Sequence, residues 1–365
     1  MKINIRKIPS LLLFILLLLA NMDVAAQDNA AQGIDWQTQA DRYLKHLVDE
    51  GNFSGSVLLA QNGEIQMARS YGYANREYDI PNTPDTKFRI GSLTKQFTAA
   101  LILALEEQGK LSTDDYISQY LPNAPKAWNK IKIAHLLSHT SGIPNFVAFK
   151  DNLHYERLPS TVEQTVARFA DKKLSFEPGT QFEYSNSGFV LAGYIAEQVT
   201  GRRYEDLLED LILKKAGMQD TGYDHPRTIL SKRASGYSKD GDTLVNAIHF
   251  EMDTPYSAGA LYSTVYDLFK WDQALRSGAV ISRASLKKME TPYFGNYGFG
   301  VDTKEGQVFH SGTISGFKAF MRRFPNSESC VVVLSNYQFS DPEKISQNLS
   351  DLLFSRNTGV MSSKL

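Results

Sequence analysis

A serine hydroxyl attacks a carbonyl only when a base takes its proton, and Phe88-Arg89-Ile90-Gly91-Ser92-Leu93-Thr94-Lys95 offers both groups. Positions i and i+3 of a helix share a face, so a helix over Ser92–Glu107 sets the Lys95 amine over the Ser92 hydroxyl. Apolar residues follow at Phe97, Ala99, Ala100, Leu101, Leu103, Ala104 and Leu105, which predicts a helix buried nearly all round. Burial favours the neutral amine that a base requires. A helix start at Ser92 also puts the Ser92 N–H at the positive end of the dipole, where an oxyanion would form. Ser-x-x-Lys alone says little. A second copy, Ser285-Leu286-Lys287-Lys288, lies in a charge-rich segment that reads as a solvated surface helix.

Two further stretches add chemistry. Tyr184-Ser185-Asn186 pairs a phenol that can relay a proton with an amide that can hold a substrate carbonyl or orient the lysine. It too has a second copy, Tyr73-Ala74-Asn75, at the end of an expected strand. Phe309-His310-Ser311-Gly312-Thr313 closes another strand. Gly312 there admits close backbone approach, and the Thr313 N–H can serve as a second oxyanion donor. His135 and His139 stand four apart but have no intervening Glu and no obvious third ligand, so no metal site is expected. Cys330 sits in an apolar strand pattern and reads as a small core residue. No Gly-x-Ser-x-Gly elbow and no phosphate-binding glycine loop occurs, and no cofactor is expected. Tyr223, Tyr256 and Tyr293 fall in loops that could line a cleft.

These residues need a frame. An amphipathic helix is expected over Trp36–Val48, then a hairpin of Gly55–Ala60 and Ile65–Tyr73 around Asn62-Gly63. Helices are expected at Ile133–Leu137, Val162–Ala170, Gly188–Val199 and Tyr204–Lys214. Strands return at Tyr297–Val301, Gln307–His310, Lys318–Phe324 and Cys330–Asn336, closed by a helix over Pro342–Phe354. Strands at both ends with helices between imply an α+β fold, a mostly antiparallel sheet flanked by helices. The 365 residues carry 39 Lys+Arg against 40 Asp+Glu, with 42% apolar residues and one cysteine. That composition is globular, and a pI near 6.7 argues against nucleic acid as a partner. Lys2, Arg6 and Lys7, the apolar run Leu11–Ala20 and Val24-Ala25-Ala26 together read as a cleaved signal peptide over residues 1–26. The run is too short to span a bilayer. The expected mature chain, 27–365, is therefore periplasmic or secreted, with no stable membrane anchor.

Taken in order, the three stretches resemble the serine β-lactamase and penicillin-binding protein superfamily. The likeness is to its class C β-lactamase branch, which also holds a D-alanyl-D-alanine carboxypeptidase, D-aminopeptidases and esterases. Gly72–Asn75, Leu136–Gly142 and Ser257–Thr264 also look like that branch. The resemblance implies the β-lactamase/transpeptidase fold, with a helical insertion over about 111–224. It implies Ser92 as acylated nucleophile and Lys95 and Tyr184 sharing base and proton-shuttle roles. Asn186, His310, Gly312 and Thr313 would bind substrate, with Ser92 and Thr313 N–H groups as the oxyanion hole. The substrate implied is a small molecule or peptide with an ester or amide bond. Most members have lysine where His310 stands; histidine is mostly neutral at pH 7 and holds a carboxylate less firmly. This favours a carboxypeptidase, aminopeptidase or esterase over a dedicated β-lactamase. An acyltransferase would use the same residues, and an inactive penicillin sensor would not need them intact.

Overall fold

A computed structural model describes residues 35–121 and 123–355; the expected signal peptide lies outside them. Helix α1, Trp36–Asp49, starts on an Asp35 cap that accepts the Gln37 and Thr38 N–H groups. Strands β1, Gly55–Gln61, and β2, Glu64–Tyr71, form the expected hairpin. Helix α2, Thr94–Glu107, follows a single 3₁₀ turn at Gly91–Leu93, so Ser92 lies just before the α-helix instead of in its first turn. Helices α3, Ile133–Leu137, and α4, Asn186–Thr200, belong to a helix-rich middle that also holds Val162–Ala170 and Tyr204–Leu208. After α5, Val265–Ser277, and α6, Arg283–Glu290, the chain returns to the sheet. The returning strands are β3, Asp302–Lys304, β4, Gln307–Ile314, β5, Phe317–Phe324, and β6, Ser329–Ser335; helix α7, Pro342–Ser355, closes the chain.

The six strands form one antiparallel sheet in the order β3-β4-β5-β6-β1-β2. Both faces are covered, which explains why β1 and β6 read as unbroken apolar runs. Val57, Leu59, Val331 and Val333 pack with Leu44 and Leu349 of the terminal helices. Leu58, Ala60, Val332 and Leu334 face the larger core, where α2 runs through the centre with Phe97, Leu101 and Leu105 fully enclosed. The fold is the mixed, mostly antiparallel α/β architecture expected. Cys330 lies in that core, as its strand pattern implied.

Two expectations fail locally. Tyr297–Val301 is not a strand; its amides bond elsewhere, Phe299 N–H to Met289 O and Gly300 N–H to Leu137 O, and pairing with β4 begins only at Asp302. The apolar alternation there reflects packing of a coil against α2 and α3. Helix α5 went unpredicted, although Thr264 caps it by accepting the Asp267 N–H and Gly278 ends it.

Candidate active site

The sequence folds Ser92 and Lys95 together as their spacing requires. Lys95 Nζ lies 2.9 Å from Ser92 Oγ. It also reaches two groups far away in the chain, 2.8 Å from Asn186 Oδ1 and 2.9 Å from the Ala258 carbonyl. The Lys95 side chain is wholly buried, and that burial pushes its amine well below the ordinary lysine range. The Tyr184 hydroxyl hydrogen-bonds Ser92, and burial raises its pKa, so the phenol keeps its proton at neutral pH. One group is therefore poised to accept a proton and the other to give one.

Asn186 opens α4 and is held by a residue that sequence reading missed. Asn145 Oδ1 accepts both the Asn186 backbone N–H and its Nδ2, each at 3.2 Å. This fixes the Asn186 amide with its oxygen toward Lys95. The Ala258 carbonyl was equally out of reach of side-chain reasoning. It lies in the 3₁₀ turn Tyr256–Ala258, within a stretch noticed only for its family likeness.

Strand β4 meets the Ser92 turn at contact distance. A side chain added at Gly312 would strike the Ile90 carbonyl at 1.9 Å and come within 3.2 Å of the Ser92 N; one at Gly91 would come within 2.8 Å of the Thr313 N. Only glycines at both positions let the two backbones touch. Ser92 N–H is a first-turn donor with no intrahelical acceptor, and Thr313 N–H comes up beside it. Two N–H groups so placed can hold a developing oxyanion.

His310 is set differently from a substrate contact. Alternation along β4 turns it inward, 3% exposed, with Nδ1 2.6 Å from the Ser311 carbonyl and Nε2 2.8 Å from Tyr297 Oη. Burial, with the nearby Lys95, pushes its pKa down to about 3. Both ring nitrogens are engaged inside the protein, and the ring is neutral. His135 and His139 do not share a face either: α3 ends at Leu137, His139 has φ +58°, and its ring packs 4.2 Å from Tyr184.

The second copies fall away. Lys288 pairs with Glu106 at 2.9 Å and is not simply solvated. Tyr73 is exposed, and Asn75 bonds Ser235. Ser92, Asn186 and Thr313 line a cleft of about 670 Å³ whose aromatic wall comes from Phe146, Phe250 and Phe339. Of the three tyrosines expected in loops, Tyr223 lies in the short strand Gly222–Tyr223 and packs against the core, Tyr256 is buried, and Tyr293 lines a separate hollow.

Residues 40–355 match the family model described as Beta-lactamase. The chain belongs to the beta-lactamase family. Family members are serine hydrolases, and the Ser92 site has the parts such an enzyme needs. Among curated relatives, a putative penicillin-binding protein, PbpX, of Bacillus subtilis (strain 168) is 33% identical over 307 residues. That match covers 84% of this chain and 75% of the relative. An octameric penicillin-binding protein homologue from Pyrococcus abyssi superposes with a TM-score of 0.77 at 31% identity, covering 87% of this beta-lactamase-family chain and 77% of that one. A D-amino acid amidase from Ochrobactrum anthropi SV3 gives a TM-score of 0.77 at 25% identity, over 89% of this chain and 99% of its own.

Proposed function

We propose that the protein is an exported serine hydrolase that opens ester or amide bonds through an acyl-enzyme on Ser92, of the D-Ala-D-Ala carboxypeptidase, D-aminopeptidase and esterase kind. The observation that carries this reading is the set of partners around Lys95 Nζ. Asn186 Oδ1 and the Ala258 carbonyl can only accept, so they take the two hydrogens of a neutral amine. The lone pair is then left facing Ser92 Oγ. Lys95 takes the hydroxyl proton as Oγ attacks the substrate carbonyl. Ser92 and Thr313 N–H groups stabilise the oxyanion. Tyr184 protonates the leaving group and is reprotonated from Lys95. In the second half a water attacks the acyl carbonyl and its proton passes through Tyr184 to Lys95. Lys95 then returns a proton to Ser92 Oγ as the acyl group leaves, so that the serine hydroxyl and the neutral amine are both restored.

Substrate preference follows from His310 and the cleft. The neutral, inward ring offers no fixed cation to a carboxylate beside Ser92. The one lysine among the cleft-lining residues, Lys239, is stacked over the Phe339 ring, and Phe146, Phe250 and Phe339 make the lining largely apolar. Esters and small D-amino-acid amides should exceed a chromogenic cephalosporin in kcat/KM by more than about tenfold, the scale of one charge-assisted contact. The check is a panel of p-nitrophenyl esters, D-amino-acid amides, D-Ala-D-Ala peptides and the cephalosporin, run on wild type and Ser92→Ala. Cephalosporin turnover well above the esters would instead make this a class C-like β-lactamase. Product partitioning toward an added alcohol would make it an acyltransferase.

Export rests on the leader over residues 1–26. Among the described residues no helix is long and apolar enough to cross a membrane. Mass spectrometry of the extracytoplasmic fraction should find an N-terminus near Gln27; an intact Met1 there would overturn both cleavage and location.

A further inference from the structure

Behind Tyr184 lies a chain of buried polar groups that the reaction scheme does not use. Its two ends are fixed by the backbone. The Ser185 N–H donates to His139 Nδ1 at 3.1 Å, so that nitrogen bears no proton. The Ser311 carbonyl, 2.6 Å from His310 Nδ1, can only accept, so that nitrogen does bear one. Burial pushes both imidazoles below their ordinary range and keeps them neutral. The remaining protons then have one arrangement. His139 Nε2–H donates to Tyr297 Oη across 3.2 Å, and the Tyr297 O–H donates to His310 Nε2 across 2.8 Å. Burial raises the Tyr297 phenol well above its usual range, so it stays a donor.

The chain grips the catalytic region at several points. The His139 carbonyl accepts the Glu183 N–H and its ring accepts the Ser185 N–H, so this one residue brackets Tyr184 on both sides. The Tyr184 ring lies 4.2 Å from the His139 ring centre and 6.3 Å from that of His310. Lys95 Nζ sits 4.9 Å from the centre of the Tyr184 ring. The groups facing His310 are thus Lys95 from α2, His139 from the turn after α3, Tyr184, Tyr297 and the Ser311 carbonyl. None of these is an anion; the nearby carboxylate, Asp302, raises the phenols of Tyr184 and Tyr297 but is not among the groups that set the His310 ring.

We infer that Tyr297 and His139 are positioning residues of the acyl-transfer site: their hydrogen bonds hold His310 as a neutral ring and aim Tyr184, so that no second cation opposes the proton Lys95 must accept. The inference rests on the proposed Ser92 mechanism, but its first test does not. A cation beside Lys95 lowers the basicity of its amine, because two positive charges repel. The Tyr297 hydroxyl occupies the lone pair at which His310 would protonate. Without that hydroxyl the ring becomes more basic.

In wild-type protein labelled with ¹⁵N-histidine, the resonances of His139 and His310, assigned by His→Gln variants, should report Nε2–H for His139 and Nδ1–H for His310 at pH 7. A His139 ring carrying its proton on Nδ1, or a His310 imidazolium, would overturn the inference whether or not any substrate is turned over. The kinetic test uses Tyr297→Phe and a small ester. The acid limb of kcat/KM should move up by about one pH unit, with about a tenfold loss at pH 6 that falls on kcat and leaves KM within about threefold. Adding His310→Asn removes the titrating ring and should return the limb to its wild-type position. Asp302, whose half-buried carboxyl is pushed up to about 6 by burial, titrates in the same range, so each variant is also made with Asp302→Asn to separate its titration from that of His310. A Tyr297→Phe enzyme that is slower at every pH, with its limb unmoved, would reduce Tyr297 to a packing residue and sink the inference.

Discussion

Ser92→Ala should abolish turnover of every ester or amide the protein accepts, along with covalent labelling by a fluorophosphonate or fluorescent penicillin. Lys95→Ala should lower the rate by about 10²- to 10⁴-fold or more, the range for removing a general base. The contrast lies with the other Ser-x-x-Lys. Lys95 is enclosed, held below its ordinary range by burial, and aimed at Ser92 Oγ by Asn186 and Ala258. Lys288 is paired with Glu106, away from Ser92 and the cleft. Ser285→Ala and Lys288→Ala should therefore leave turnover and labelling unchanged. The Lys288 change should cost no more than about 1 kcal/mol, as for an exposed ion pair. The sign of the pH dependence follows. Activity requires neutral Lys95, so it is present above the lowered lysine pKa and lost as pH falls through it. Lys95→Arg should not restore activity, because guanidinium stays protonated throughout. A folded Ser92→Ala protein, verified by circular dichroism, that still turned over substrate would end the mechanistic assignment.

Tyr184→Phe should slow the enzyme by about 10²- to 10⁴-fold, and the loss should fall at least as heavily on acyl-enzyme breakdown as on its formation. The phenol is hydrogen-bonded to Ser92 and kept protonated by burial, which suits it to donate to the leaving group first. In the second half the same hydroxyl, hydrogen-bonded to Ser92, is placed to relay the water proton to Lys95. With a p-nitrophenyl ester, the variant should show a burst of p-nitrophenol followed by a slow steady state, and intact-mass analysis should find the acyl adduct on the protein. A variant with slow acylation, no burst and no adduct would place Tyr184 in the first half-reaction only.

Much of the site was legible because its signals are local. Ser92 and Lys95 are three apart, and the 3₁₀ turn running into α2 keeps them on one side of the chain, 2.9 Å apart at their polar atoms. The burial that lowers the Lys95 pKa was readable too, since the apolar run after it leaves no polar stripe for solvent. The antiparallel sheet followed from hairpins at both ends of the chain, and Gly312 and Thr313 from one short strand. Loop tyrosines misled, because loops carry no period that says which way a ring will point. The same holds for Tyr297, read as a strand residue when its neighbours bond to Met289 and Leu137 instead.

The sequence by itself picked out the serine, lysine, tyrosine and glycine that meet at the site, since each was marked by spacing within a few residues. Tertiary structure alone decided which acceptors surround Lys95, at 91 and 163 residues' separation, and so which way its lone pair faces. It also decided what becomes of His310. From sequence that residue was a weakened substrate contact; in the fold it is a neutral ring joined through Tyr297 to His139, 158 residues from that tyrosine. The physical reason is common to both. A hydrogen bond fixes a proton's position only when both partners are known, and partners so far apart in the chain are chosen by packing of the whole core, which no local pattern encodes.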